Sequence, residues 1–319
     1  MPEEQHYFTG SDIIMVNNDF QCVDIYQQPS LQHPLLTNHK IQLYPTFAKN
    51  IMQNRSSYGK SMVKCPEGKV PIYNKTGRHQ IITNSSSKLQ IDDFQQYSQS
   101  AHGYHTVSLD TTQNTIFHGA HAAISGYGLS IEANHHSISS IWIESGPPTE
   151  LNSIKVGVGA DGYKKTGCYN YRCPGFVQVN HDKEYALGSL VTPLNSIGST
   201  EKVASFIKIK QDRSTGHWWL IIQLEPIYVG YWPKELFNHL SRGASSIRFA
   251  GQTYSPPNKD SHPMGSGRLP KEKFRNSAFM AILEIIDSEY NEVAVKDRDM
   301  KSYTDTHSEC YDLAYNGYQ

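Results

Sequence analysis

Two histidine pairs and one serine turn are the first positions in this sequence whose residue types and spacing could support chemistry. His102 with His105, and His118 with His121, have an HxxH spacing that can place two ligands on a metal. In strands, residues three apart face opposite sides of the sheet, so a metal site there needs an unusual bend. Ser266, in the run MGSGR, lacks the G-x-S-x-G elbow of serine hydrolases and has no identifiable His and Asp partners. We therefore expect no bound metal, no cofactor and no serine nucleophile.

The five cysteines leave one unpaired in any full disulfide scheme, and none lies in a CxxC pair of the kind that holds zinc. Cys168 and Cys173 stand five residues apart in a loop that contains Asn170 and Pro174. A turn can bring their Cα atoms within the ~4.4 to 6.8 Å that a disulfide requires. In an oxidising compartment this pair is predicted to be bridged, and the alternative is two free, buried cysteines.

Three N-x-[ST] sequons, at Asn54, Asn74 and Asn84, predict glycosylation and give a weak indication of secretion. Against this, the N-terminal run MPEEQHYF contains no apolar stretch of the ~7 to 15 residues that a signal peptide needs. No stretch approaches the ~20 apolar residues of a membrane span. The sequence start therefore indicates either a cytosolic protein or an incomplete N-terminus.

Composition argues for sheets and against polyanionic partners. The formal net charge is -1, which provides no field for steering toward nucleic acid or an anionic membrane, and we expect neither as a partner. Only 18% of the residues are charged while there are 20 tyrosines, a composition that suits pleated sheets with neutral polar outer faces. The sequence therefore predicts an all-β protein.

The hydrophobic pattern divides the chain near residue 95. Residues 1–95 are rich in turn formers and poor in periodic apolar residues, whereas from Gln96 onward apolar and polar residues alternate in short runs. The strand-like runs are YHTVSL, TIFHGAHAAI, SIWIES, ELNSIKVG, GFVQVN, SFIKIK, HWWLIIQL, YVGYW, SSIRFAGQTY and FMAILEII. Their spacing indicates a sandwich or barrel, and the absence of a repeat argues against a propeller. One short amphipathic helix is predicted over PKELFNHLSRGA.

Several runs of the sequence resemble the neprosin family of plant proteins, whose characterised members are glutamic peptidases that cleave after proline. The N-terminal resemblance rests on CVDIYQQPSLQHPLLTNHKIQ and CPEGKVPI, and the C-terminal one on GCYN, CPGFVQ, HWWL, GYWP and MGSG. It implies that residues 1–95 are an activation-peptide-like pro-segment and that 96–319 form an antiparallel β-sandwich of two sheets. It also implies an extracellular or vacuolar location and a proline-containing peptide or protein substrate.

The chemistry that the resemblance implies needs two carboxyl groups facing each other across a cleft. One, ionised, takes a proton from the attacking water, and the other, kept protonated, donates to the developing oxyanion. The family supplies them in strands written roughly I-E-A-G-W and G-G-E-V. Here residues 154–158 read IKVGV and residues 250–253 read AGQT, so Lys155 and Gln252 occupy the catalytic positions.

The two substitutions differ in weight. Gln252 is compatible with catalysis, because a related fungal group pairs a glutamine with a glutamate and uses the amide as oxyanion donor. Lys155 is the more serious change, because an ammonium has no lone pair with which to accept a proton. Glu150 cannot substitute, since five residues along a strand place it on the opposite face. We therefore expect the peptidase activity to be lost.

Two further departures from the family pattern concern chain length. Between Gly157 and Asp161 about twenty residues of the family pattern are absent, enough for one or two strands of ~5 to 6 residues. Losing a strand exposes a sheet edge, so either the sheet has re-paired or the sequence is mis-spliced. The family's cysteine-containing tail is also absent after Asp312, and Cys310 is expected to be unpaired.

Aromatic residues near these positions are candidates for the substrate cleft. Tyr254, two residues beyond Gln252, should share its face and could meet a proline ring. Tyr231 and Trp232 are weaker candidates, since such residues more often belong to the core. In HWWL the two adjacent tryptophans must face opposite sides of their strand.

The main hypothesis from the sequence is a neprosin-family protein whose glutamic peptidase site is degenerate and whose cleft still binds proline-rich or glycosylated peptides. The alternatives are an active peptidase that uses Gln252 with an unidentified carboxylate, and a mis-spliced product without a stable fold.

Overall fold

The computed structural model describes residues 20–48, 64–73, 103–132, 135–159 and 175–317 with their side chains, and the backbone of residues 80–86 and 160–161. Within these residues the regular structure is strands joined by turns and short 3-10 segments. The strands are β1 (Phe20–Asp24), β2 (Lys69–Tyr73), β3 (Gln80–Ser86), β4 (Tyr104–Thr111), β5 (Gly119–Ile124), β6 (His136–Ser145), β7 (Asn152–Asp161), β8 (Val177–Gln178), β9 (Ser205–Gln211), β10 (Trp218–Ile222), β11 (Ile227–Trp232), β12 (Ser246–Tyr254), β13 (Met280–Ile286), β14 (Glu292–Ala294) and β15 (Met300–Thr304).

Two antiparallel sheets pack face to face and confirm the predicted all-β, sandwich-like class. The seven-stranded sheet has the order β14-β13-β5-β9-β10-β11-β8, and the six-stranded sheet has the order β15-β4-β12-β6-β7-β3. Alternation along β6 and β12 directs Ile141, Ile143 and Phe249 inward, where they join Leu220 and Ile207 of the other sheet. The main apolar core therefore lies between the sheets.

A second apolar cluster lies on the outer face of the seven-stranded sheet. The adjacent tryptophans divide as predicted, because Trp218 belongs to the main core and Trp219 to this outer cluster. Trp219 is nonetheless 0% exposed, because Ala48 and Ile41 of the N-terminal segment pack on the outer cluster. We use "N-terminal segment" for residues 20–48. It covers the β10-β11-β8 part of the outer face of this sheet.

β1 and β2 form a small two-stranded sheet that a disulfide closes. Phe20 pairs with Tyr73 and Asp24 with Lys69, and Cys22 of β1 is bonded to Cys65, which lies four residues before β2. This bridge was not predicted from the sequence, because the spacing of 43 residues carries no signature of its own.

The short junction at residues 157–161 is part of a continuous strand. β7 runs through it and pairs with β6 on one side and with β3 on the other, from Gln80 opposite Gly159 to Ser86 opposite Ser153. β3 comes from the region predicted as the pro-segment. The edge of β7 beside the short junction is thus occupied by β3.

The predicted helix over PKELFNHLSRGA is wrong. This stretch forms two separate 3-10 turns, Lys234–Leu236 and Leu240–Arg242, with Phe237 extended between them at φ -123° and ψ 132°. The backbone N–H of His239 donates to Asn152 Oδ1 at 2.7 Å, so an acceptor on β7 replaces a helical carbonyl and the helix does not continue. In the described parts of the chain, no helix has the length and apolarity to cross a membrane.

Candidate active site

Lys155 and Gln252 lie on the same face of the six-stranded sheet, the outer face. Cross-strand partners share a face, and Gln252 pairs with Ile138, which in turn pairs with Gly159 on β7. Lys155 pairs with Trp142 instead, four residues along β6 from Ile138. Lys155 and Gln252 are therefore displaced by about 13 Å along the strand direction. The two positions belong to one surface without facing each other directly.

The Lys155 ammonium lies against an aromatic ring. Its Nζ is 3.7 Å from the centroid of the Trp142 ring, a cation–π geometry, and the buried Trp142 Nε1 donates to Ser140 Oγ at 2.7 Å. The indole therefore fixes the ammonium on the outer face. A cation held in this way cannot accept a proton from water.

Gln252 and Asp305 flank Thr106 on β4. The Gln252 Nε2 donates to Thr106 Oγ1 at 3.3 Å, and Asp305 Oδ2 accepts from the Thr106 backbone N–H at 3.0 Å. Burial raises the pKa of Asp305, against the opposing effects of the Thr106 bond and of His105. A carboxyl that holds its proton more strongly than usual thus stands near the amide of Gln252.

Two other carboxylates on this face are paired with Arg248. Glu144 Oε2 lies 3.2 Å from Arg248 Nε, and Asp110 Oδ2 lies 3.5 Å from its Nη1. Glu144 also accepts from Ser153 Oγ at 3.2 Å. Glu150 lies before β7 in an exposed 3-10 turn, where its Oε2 is 3.2 Å from His239 Nε2. None of these carboxylates stands beside Gln252.

Aromatic rings close the end of the face beyond Gln252. Tyr254 contacts Tyr104 at a centroid distance of 4.4 Å and His136 at 5.5 Å. Burial, with the nearby positive charges of Lys155 and His135, lowers the pKa of His136 to about 4. Tyr254 thus shares the face of Gln252, and its contact with a substrate stays a prediction.

The other two predicted cleft aromatics lie elsewhere. Trp232 is 1% exposed in the main core, where its ring meets Phe176, and Tyr231 is buried beneath the N-terminal segment. Both belong to β11 of the seven-stranded sheet, whereas Lys155 and Gln252 belong to the six-stranded one. The structure does not bring them together with the candidate catalytic positions.

Polar contacts attach the N-terminal segment to the seven-stranded sheet. The buried Gln28 side chain exchanges bonds with the backbone of Gln178 on β8, accepting at 2.8 Å and donating at 3.2 Å. Farther along, Asp212 accepts from the backbone and the hydroxyl of Thr46, both at 2.6 Å. Burial alone raises the pKa of Asp212, but the bonds from Thr46, Gln42 and Ser214 leave it below its ordinary value.

A cluster of His39, His217 and Glu235 lies where the segment meets β10. The ligand-capable atoms of the three side chains lie within 4.8 Å of one another. Burial lowers the pKa of His39 and lowers that of His217 to about 4, in both cases against the opposing charge of Glu235. Sequence reasoning missed this cluster, because its members are far apart in the chain and only the fold brings them together.

The remaining candidates from the sequence have ordinary surroundings or lie outside the described residues. His118 Nδ1 contacts Gln211 Oε1 at 2.8 Å, His121 Nδ1 contacts Glu284 Oε2 at 3.1 Å, and Ser266 Oγ accepts from the Ala278 backbone N–H at 3.0 Å. The residues outside the description are His102, Cys168, Cys173, Asn54 and Asn74, and only the backbone of Asn84 is described. Cys310 is free, as predicted, and it is exposed.

Two family models match the chain. The Neprosin family model matches residues 133–319, which is more than half of the chain. The Neprosin activation peptide model matches residues 17–124, which include the N-terminal segment, β3 and β4.

Proposed function

Because the chain belongs to the neprosin family, we propose that it is a peptidase-like protein with a degenerate catalytic pair, whose cleft binds extended proline-containing peptides without hydrolysing them. The contact between Lys155 Nζ and the Trp142 ring carries this proposal. The glutamate expected there would act as general base, and an ammonium lacks the necessary lone pair. Cleavage would then have no group to activate water at this position.

The proposed cleft is the outer face of the six-stranded sheet. Tyr254 and Tyr104 supply a half-open aromatic surface suited to a proline ring, and Gln252 supplies an amide that can donate to a peptide carbonyl.

We place the protein outside the cell or in the vacuole, with a pro-segment of residues 1–95 and a domain of 96–319. Limited proteolysis tests the division, because a single early cut near residue 95 is expected.

A cleavage assay tests the loss of catalysis. The purified chain is incubated with a fluorogenic proline-containing peptide across acidic and neutral pH, beside the double variant Lys155→Glu and Gln252→Glu. No turnover is expected from the natural sequence, and measurable turnover at acidic pH is expected from the double variant. Cleavage by the natural sequence that disappears in Gln252→Ala would contradict the proposal.

Peptide binding is measured separately by fluorescence anisotropy. Tyr254→Ala is expected to weaken the binding of a labelled proline-rich peptide about five-fold or more, because the contact between the tyrosine ring and the proline ring, worth ~1 kcal/mol, is lost. The matched control is Tyr26→Ala, since Tyr26 is exposed and lies in the N-terminal segment. Equal affinity of the two variants would argue against this cleft.

The second candidate function is an active peptidase that uses Asp305. Its support is the raised pKa of Asp305 and the placement of Asp305 and Gln252 on either side of Thr106. This candidate predicts turnover in the natural sequence that Asp305→Asn removes and Lys155→Met leaves unchanged. The mis-spliced reading predicts instead early proteolysis at residues 157–161, and the pairing of β7 on both sides argues for a folded product.

A further inference from the structure

We propose that His39, His217 and Glu235 form a zinc site that ties the N-terminal segment to the seven-stranded sheet. Among the described residues, they are the one group of three His, Cys, Asp or Glu side chains whose ligand atoms converge. His39 belongs to the segment, whereas His217 immediately precedes β10 and Glu235 lies in the turn after β11. A metal bound by all three would cross-link two parts of the fold that otherwise meet through hydrogen bonds and apolar contacts. This inference does not depend on whether the cleft is catalytic.

The donor set suits zinc. Two imidazole nitrogens and one carboxylate oxygen are ligands that zinc takes readily, with water in the fourth position. Glu235 Oε2 lies 3.9 Å from the Nδ1 atoms of both His39 and His217. Tetrahedral zinc with bonds of ~2.0 to 2.1 Å places its ligand atoms roughly 3.4 Å apart, so Glu235 needs to approach each imidazole by about 0.5 Å. The two imidazoles must also close to the same spacing, and all three ligand atoms already lie within 4.8 Å of one another. Glu235 has a side chain that is 42% exposed, so it has room to make that movement and leaves access for a water ligand.

The second nitrogen of His39 is already held. His39 Nε2 lies 2.8 Å from Tyr231 Oη, which also accepts from the Gln42 backbone N–H at 2.9 Å. Histidines that bind metals are commonly oriented in this way, by a hydrogen bond at the nitrogen that does not bind the metal. The Tyr231 contact leaves Nδ1 of His39 directed toward Glu235.

One existing contact opposes the metal. His217 Nδ1 accepts from the Lys234 backbone N–H at 3.1 Å, and zinc would have to displace this bond. The buried His217 ring meets His39 edge to face at a centroid distance of 5.3 Å and stacks on Tyr231 at 4.9 Å, so it must turn its Nδ1 from Lys234 to the metal within these contacts. We therefore expect zinc binding that depends strongly on all three ligands.

Calorimetric titration of the full chain with zinc chloride, after removal of metal with EDTA, tests the site. The chain has 15 histidines, so weak binding elsewhere is expected and the comparison must be made between variants. His39→Gln and Glu235→Gln are each expected to weaken the tightest site about ten-fold or more. Their matched controls are His33→Gln in the same segment and Glu225→Gln on an exposed loop, and both should bind as the natural sequence does. Equal binding by all four variants overturns the proposal.

Hydrogen exchange of residues 37–42 reports whether the metal ties the segment down. Zinc is expected to slow exchange there in the natural sequence and in the two controls, and to leave it unchanged in His39→Gln. Tight zinc binding without slowed exchange overturns the cross-link. Should His39→Gln loosen the segment by itself, Glu235→Gln supplies the same test, because its exposed side chain can change without removing an apolar contact.

Discussion

At the β10-β11-β8 end of the seven-stranded sheet the outer face is apolar and lies beneath the N-terminal segment, whereas on the six-stranded sheet the outer face carries charged, amide and aromatic side chains. Trp219 and Tyr231 are fully buried on the first face, while Lys155, Gln252 and Tyr254 remain partly exposed on the second. Both faces come from the same alternation of side chains along antiparallel strands. The difference shows that the seven-stranded sheet uses this part of its outer face for intramolecular packing, whereas the six-stranded sheet leaves Lys155, Gln252 and Tyr254 partly accessible.

Trp219→Ala tests the covered face and should have the largest effect. Truncating a fully buried tryptophan removes its contacts with Tyr231 and leaves a cavity, so a loss of about 4 kcal/mol of unfolding free energy is expected. Urea unfolding of the variant and of the natural sequence measures it. Leu224→Ala, at a position 65% exposed, is the control and should change the free energy by less than about 0.5 kcal/mol. Similar small losses in both variants would mean that the segment does not cover this face.

His136→Phe tests the six-stranded sheet through the pH dependence of its unfolding. The pKa of His136 falls to about 4 from an ordinary value of 6.5, so below pH 6.5 the unfolded chain takes up the proton before the folded one does. The free energy of unfolding therefore falls by roughly 3 kcal/mol between pH 6.5 and about 4, because each unit of pKa shift corresponds to about 1.36 kcal/mol. Phenylalanine keeps the ring contacts with Tyr104 and Tyr254 and removes this loss.

Unfolding of His136→Phe at several pH values measures the effect. His307→Gln, at an exposed position, is the control and should keep the acid sensitivity of the natural sequence. An unchanged pH dependence in His136→Phe would place the acid-sensitive group elsewhere.

Gln28→Ala tests how the segment is attached to the covered face. The substitution leaves the buried Gln178 backbone N–H without its acceptor and should cost about 2 kcal/mol. Hydrogen exchange at the Gln178 amide is the sensitive measurement, because that amide should become markedly less protected. Gln32→Ala, exposed in the same 3-10 turn, should leave exchange at Gln178 unchanged.

Tyr254→Ala should have the smallest effect on stability, although it lies in the proposed cleft. Its partly exposed ring contacts Tyr104 and His136, and losing these contacts should cost about 1 kcal/mol. A loss comparable with that of Trp219→Ala would show that Tyr254 belongs to a packed core, and the two outer faces would then no longer differ in kind.

Local pattern predicted much of the fold. The runs SFIKIK, HWWLII and SSIRFAGQTY correspond to β9, β10 and β12. They could be predicted because apolar and polar residues alternate along a half-buried strand. The shared face of Gln252 and Tyr254 followed from the same rule. The helix was wrong because its apolar spacing also fits two turns, and the choice depended on Asn152, an acceptor more than eighty residues earlier in the chain.

Contacts between distant residues could not be predicted in this way. The pairing of β3 with β7, the Cys22 to Cys65 bridge and the approach of His39 to His217 join positions with no common periodicity. Burial of Tyr231 likewise depends on the N-terminal segment. The alternation of residues around Tyr231 indicates only that one face of the strand is apolar, and a strand in a cleft wall has the same pattern.

The order of strands in the six-stranded sheet has a consequence for how the chain folds. The sheet is bounded by β3 at one edge and by β15 at the other, so its borders come from opposite ends of the chain. β15 pairs with β4 across almost 200 residues, from Met300 opposite Thr111 to Thr304 opposite Val107. Such distant pairings must wait until the intervening chain has been synthesised, and they slow folding because long loops must close first. During translation the edge of β4 therefore stays without β15 until the last strand emerges, and such an edge can pair wrongly with extended backbone of another chain.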